Sequence, residues 1–148
     1  TFTTNVLWDN LDYLVIDLPP GTGDALLTFS QEIQIDGAVI ISTPQEVALL
    51  DANRGIKMFQ KTNVNILGIV ENMSSFTSDD GKKHFIFGKS GAQKMSKNLD
   101  IDLLGTIPIE IGIREGGDNG EPYVEFFQNT NTEKEITSIA KKILAKIK

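Results

Sequence analysis

Four short apolar runs, Tyr13–Ile16, Ala38–Ile41, Val64–Val70 and Ile101–Ile107, set the rhythm of the chain, and each leads into a polar turn rich in Pro, Gly or Asn. Runs of this length and β-branched content suit strands buried on both faces. The intervals between them repeat at helical spacing instead. Leu26, Leu27, Ser30 and Ile33 form one apolar stripe, Val47, Leu50, Ile56 and Phe59 a second, and Ala92, Met95 and Leu99 a third. Strand, helix and strand within about thirty residues make a βαβ unit, whose strands pair in parallel with a right-handed crossover. The pattern predicts an α/β fold, a three-layer sandwich around a mainly parallel sheet. Its strands lie near 13–17, 38–42, 64–71 and 101–107, and all send their loops to one edge.

The punctuation refines this picture. Thr43 reads as the N-cap of the second helix, Pro44 as its first residue and Glu46 as the capping-box acid. Ahead of the first strand, Leu7, Trp8 and Leu11 are spaced for one face of a short helix or turn, with Trp8 as a packing residue. Ser74 to Lys83 is polar and aperiodic, and reads as a mobile loop. Ile109 to Pro122 is Gly-rich and reads as a surface loop carrying Arg114, Glu115, Asp118 and Glu121. Thr132 to Lys148 closes the chain as an amphipathic helix with Ile136, Ile139, Ala140, Ile143, Leu144 and Ile147 on its apolar side, docked onto the sheet rather than onto a membrane.

Composition narrows the function classes. At 148 residues the chain is a single domain. No apolar run approaches the ~20 residues that span a bilayer, and no basic, apolar leader opens the sequence, which points to a cytoplasmic protein. A net charge of −6 without a basic stretch argues against nucleic acid as a partner. There is no cysteine, which removes disulfides, thiolate nucleophiles and thiolate-ligated metals from within this chain.

Candidate chemistry gathers after the first run, in Tyr13-Leu-Val-Ile-Asp-Leu-Pro-Pro-Gly-Thr-Gly-Asp24. The run delivers Asp17 to a strand's C-terminal end, where open α/β sheets bind ligands. Pro19 and Pro20 stiffen the turn, while Gly21 and Gly23 allow main-chain N–H groups to approach an anion. On residues alone, Asp17 is either a turn or cap residue or the metal-side carboxylate of a nucleotide triphosphatase.

The whole string resembles the Walker B and switch II segment of the Mrp-type (ApbC-like) P-loop ATPases, iron-sulfur cluster carriers related to the MinD and ParA ATPases. The resemblance implies a P-loop NTPase-like fold of the deviant Walker A class that binds ATP and Mg²⁺ as a homodimer and assists cluster assembly or transfer to recipient proteins. It implies that Asp17 helps hold Mg²⁺ through water, that Pro20 and Gly21 border the γ-phosphate, and that Asp17 and Gly21 are the catalytic positions. It further implies that Asn72, in Glu71-Asn-Met73, and Pro108 line the adenine, an amide suiting adenine by offering both a donor and an acceptor. Asn72 also has a plainer reading, as a residue that caps its own turn. The Thr43-Pro-Gln45 string followed by Asp51 and Arg54 matches the family as well, and offers surface or dimer contacts.

Two departures qualify the resemblance. No Gly-x-x-x-x-Gly-Lys-Ser/Thr loop occurs, so it covers only the C-terminal part of the family's ATPase domain. A fragment of this kind is expected to hydrolyse ATP negligibly on its own. Secondly, family members commonly carry Cys-x-x-Cys between the strings that stand here as Asn72-Met-Ser-Ser-Phe76 and Ile86-Phe-Gly88. The interval Thr77 to Phe85 has only hydroxyls, carboxylates, amines and His84, so an iron-sulfur cluster lacks its ligands in this chain. A positioning ATPase of the MinD and ParA kind, without a cluster, and a non-catalytic binding module are the alternatives.

Overall fold

The computed structural model describes residues 6–19 and 24–147, with the backbone alone at 24–26. Helix α1 (Asp24–Glu32) precedes strand β1 (Ala38–Ser42), helix α2 (Glu46–Lys61) and strand β2 (Ile66–Glu71). A two-residue hairpin, β3 (Phe76–Thr77) and β4 (Lys83–His84), leads to helix α3 (Gly91–Leu99) and strand β5 (Leu103–Thr106). Helices α4 (Ile111–Asn119), α5 (Tyr123–Phe126) and α6 (Asn131–Lys146) follow.

β1, β2 and β5 form a parallel sheet in that order, with β2 in the middle. Its alternation sorts the core into two layers. Ala38, Ile40 and Ile69 face α2 and α3, where they meet Ile56, Met58, Phe59 and Ala92. Val70 and Leu104 face the other way, onto Ile139 of α6. Helices on both faces of a parallel sheet are the expected three-layer sandwich. Leu104 is 1% exposed and lies across β2 at Gly68, where a Cβ would come within 2.5 Å of its Cγ.

Four expectations are corrected. Residues 13–17 belong to no strand among those described. A strand needs a hydrogen-bonded neighbour and an apolar cover. This segment has no ladder neighbour among the described residues and only partial cover: Val15 is 91% exposed and Tyr13 is 51% exposed, while Ile16 is half-buried and Leu18 packs against the core. The stretch around Leu7, Trp8 and Leu11 forms turns, one of the two forms its spacing allows.

The second helix starts later than its cap signals suggest, with Gln45 as N-cap and no side-chain capping bond. Ser42 and Pro44 are buried and Ser42 Oγ donates to the Thr43 carbonyl, so this stretch packs as a turn and the helix begins beyond it. Its buried face is Ile56, Met58 and Phe59 with Leu49 and Ala52, whereas Val47 and Leu50 are exposed.

Ile111–Asn119 is helical despite its glycines. Arg114 bridges to Asp118 one turn on, at 2.8 Å, and the left-handed Gly120 ends the helix. The polar stretch 74–83 is a closed hairpin rather than an open loop. The C-terminal helix docks on the sheet as expected, and no helix among the described residues is long and apolar enough to cross a membrane.

Candidate functional site

The carboxyl edge of the sheet is held together beyond the strand ends. Asn72 N–H donates to the Ser42 carbonyl, Ile107 N–H to Glu71 and Ser74 N–H to Ile107, at 2.8 to 3.0 Å. Ser74 Oγ donates to the same Ile107 carbonyl, and Ile109 N–H donates to Ser75 at 2.7 Å. The turns after β1, β2 and β5 are thereby zipped into one platform. A parallel sheet ends in just such loops, and it is there that this fold class binds ligands.

Asn72 and Pro108, the two positions expected to line adenine, both stand on this platform, half-buried. The Asn72 Oδ1 accepts from Met73 N–H at 2.9 Å, which stabilises a turn whose Met73 has a left-handed φ of 54°. Its side-chain amide nitrogen remains a donor. A cavity of about 280 Å³ opens beside the platform, lined by Ser74, Ser75, Thr106 and Pro108 together with Lys83 of the hairpin and Thr132 of α6.

Asp17 is exposed and the segment carrying it is not laddered to the sheet. A solvated carboxylate suits a hard, water-bearing cation such as Mg²⁺. Pro20 and Gly21, the remaining nucleotide-side expectations, lie outside the described residues. Asp51 and Arg54 pair with each other on the exposed face of α2 at 2.9 Å.

The hairpin β3–β4 occupies the stretch where the resemblance would place a cysteine pair and this sequence has none. Phe76 bridges to Ile109 on one side and to His84 on the other, so the hairpin grows directly out of the platform. Ser78 closes it: its Oγ lies 2.5 Å from Asp80 Oδ1, 3.0 Å from His84 Nε2 and 3.1 Å from the Lys82 carbonyl. Lys82 lies 2.6 Å from Asp80 and, with Ser78, holds that carboxyl below the usual carboxylate range. These groups stabilise a hairpin with hydrogen bonds and one ion pair. Among the described residues no three His, Asp or Glu side chains converge as a metal site.

One residue escaped sequence reasoning. Glu71 is 4% exposed, and its Oε2 accepts from the Ala92 N–H of α3 at 2.8 Å. An acid closing an otherwise apolar strand was the available signal, since a carboxylate is rarely buried without a dedicated donor.

Residues 1–144 match the family model described as ParA, the NUBPL iron-transfer P-loop NTPase. An iron-sulfur cluster carrier protein of Synechocystis is 52% identical over 148 residues, covering 99% of this chain and 42% of that protein. The chain thus spans less than half the length of that relative. Among solved structures, a nucleotide-binding protein from Archaeoglobus fulgidus in complex with ADP, with cobalt found in it, is 39% identical with a TM-score of 0.67. The match covers 82% of this chain and 53% of that one. The cell division ATPase MinD of Pyrococcus furiosus is 25% identical with a TM-score of 0.70, covering 93% of this chain and 53% of its own.

Proposed function

Because this chain belongs to the ParA and NUBPL family of iron-transfer P-loop NTPases, we propose that it supplies the base-binding and metal-side half of the nucleotide site in an ATP-dependent iron-sulfur cluster carrier. The observation that carries this reading is the zipped carboxyl edge, where Asn72 and Pro108 share one platform through the Ser74 to Ile107 bond. ATP is the ligand. Its base rests against Asn72 and Pro108, Asp17 serves the metal, and the family resemblance assigns Pro20 and Gly21 to the terminal phosphate. Mg²⁺, when bound, neutralises charge on the phosphates, and Asp17 orients its water shell. Without a phosphate-loop lysine in these residues, ATP turnover belongs to the complete protein, acting as a homodimer.

The cluster is cargo, and this chain does not ligate it. Clusters require thiolates, and the hairpin offers Ser78, Asp79, Asp80 and His84 in place of cysteines. The cargo ligands therefore come from elsewhere in the complete protein or from a partner. The part played here is nucleotide control of transfer to a recipient.

Calorimetric titration of the complete protein with Mg·ATP and with inorganic triphosphate tests the reading. Asn72→Ala is expected to weaken ATP roughly tenfold, the loss of one or two hydrogen bonds to the base, and to leave triphosphate unchanged. Equal losses for both ligands would reduce Asn72 to a turn residue. Absence of ATP binding by the unaltered protein would overturn the nucleotide reading altogether.

A further inference from the structure

The turn after β2 is tied sideways as well as along the sheet, through the Glu71 carboxylate. Burying a carboxylate is costly unless donors meet it. The N-terminus of the nine-residue helix α3 offers unpaired N–H groups and the positive end of the helix dipole. Glu71 takes one of these donors, Ala92 N–H, at 2.8 Å.

The local sequence had its own way to cap this helix. Ser90-Gly91-Ala92-Gln93 has the spacing of a capping box. Ser90 makes no such bond and instead adopts φ 58°, ψ 34°. A left-handed conformation at a residue with a Cβ costs about 1 kcal/mol or more. Packing explains why it persists. A Cβ at Gly91 would run into the carbonyl oxygen of Pro44, so α3 begins directly against the turn after β1 and reaches the acid at the end of β2. A strained residue, a glycine without room for a side chain and a buried acid thus serve one junction.

That junction closes a loop in the structure. Chain runs from Asn72 through Ser74 and Ser75 into the hairpin, returns through Phe85 to Ser90, and meets Glu71 again at Ala92. We propose that Glu71 is a positioning residue whose carboxylate clamps the Asn72 turn to the start of α3, so that nucleotide held at the turn stiffens the hairpin and the loop from Phe76 to Ser90. The proposal rests on the nucleotide reading above for its ligand, but not for its clamp. Coupling of this kind is reciprocal: whatever docks on the hairpin and orders it tightens nucleotide by the same factor.

Hydrogen exchange on the complete protein, with and without Mg·ATP, tests both parts. In the ligand-free protein, Glu71→Ala is expected to speed exchange at Ala92 and across 85–90 about tenfold, the scale of one charge-assisted hydrogen bond. Glu71→Gln, whose amide oxygen still accepts from Ala92, is expected to restore most of the protection. With Mg·ATP, exchange from 76 to 90 is expected to slow in the unaltered protein and in Glu71→Gln, and to stay fast in Glu71→Ala although ATP is bound. Should Glu71→Ala fail to fold, Glu71→Leu fills the same space without an acceptor and carries the same expectation. Unchanged ligand-free exchange in a folded Glu71→Ala or Glu71→Leu protein overturns the clamp, as does ATP-dependent slowing that survives either change. An intact clamp in a protein that binds no ATP would fault the nucleotide reading instead and overturn the coupling.

Discussion

The two flanks of the three-stranded sheet are built from similar residues and finished differently. On the β5 flank, α6 lays Ile139 over Val70 and Leu104, with Val39, Ile107 and Ile143 packed around them. Lys142 adds a hydrogen bond to the Leu104 carbonyl at 2.5 Å. On the β1 flank, Ile41 lies on the same face of the sheet as Val39 and is 63% exposed, beyond the reach of α6. Val47 and Leu50 are exposed on α2, at 65% and 61%. Apolar content therefore does not determine burial here. What determines it is whether the topology brings a second element over the residue, since a β-strand or helix face is buried only against a partner.

Matched truncations on the two flanks give the largest contrast. Ile139→Ala removes a side chain that is 6% exposed in the middle of the α6 layer, and is expected to cost about 2–5 kcal/mol of unfolding free energy. Ile41→Ala, the same deletion at the uncovered flank, is expected to fall within about 0.5 kcal/mol of the unaltered chain. Urea unfolding of both variants measures the difference. Equal costs would mean that the β1 flank is covered in solution, and the contrast between the flanks would be lost.

The same contrast governs how far the fold and site were legible in sequence. The segments 38–42, 64–71 and 101–107, each flanked by helical periods, became β1, β2 and β5 nearly as written, because each finds both a ladder neighbour and a helix. Residues 13–17 have the same apolar signature and form no strand, because pairing is a property of the neighbour and not of the run. Val47 and Leu50 fit the helical period of α2 yet lie outside its buried face, since a period defines a stripe but not what covers it. The Asn72 and Pro108 turns were placed by motif, and both lie at the carboxyl edge. The Glu71 to Ala92 bond was not legible, because it spans 21 residues and displaces a local cap that the sequence spells out at Ser90. Likewise, Gly-rich 109–122 reads as a loop, yet 111–119 within it is helical, with Gly112 fitted beneath the Tyr123 and Phe127 rings, which stack at 4.7 Å, and Gly116 against the Glu121 carbonyl.

A smaller change sharpens the account of the β5 flank by loosening α6 without opening its core. Thr130 is extended, with φ −75° and ψ 159°, and its Oγ1 accepts from Glu133 N–H at 3.1 Å. Thr130→Ala leaves that donor to water and is expected to cost about 1 kcal/mol, whereas Thr130→Ser, which keeps the hydroxyl, is expected to cost only a few tenths. Denaturant midpoints at constant slope check this. A loss as large as that of Ile139→Ala would show that docking of α6 depends on its first turn rather than on its apolar stripe.

The smallest effect expected on the β5 flank is electrostatic. Lys146, in the last turn of α6, lies 2.6 Å from Asp102 on the approach to β5, and this pairing holds the Asp102 carboxyl below its ordinary value. Both groups are solvated, so the bond contributes less than the buried apolar layer and is screened by salt. The sign follows from proton binding. A carboxyl with a lowered native pKa takes up protons more readily in the unfolded chain, so its contribution is present above the ordinary aspartate pKa and is lost as pH falls through the lowered one. Asp80, lowered by Lys82 and Ser78, titrates in the same direction, so a bare acid profile would mix the two. Asp102→Asn separates them: its unfolding midpoint is expected to lie slightly below that of the unaltered chain at neutral pH and low salt, and to converge with it below the carboxylate range or in 1 M salt. Lys146→Met is expected to follow the same curve, because either change removes the same pair. A gap that persists at acid pH would assign the Asp102 contribution to packing at the β5 turn, and would leave the apolar stripe and the Thr130 cap to account for the docking of α6.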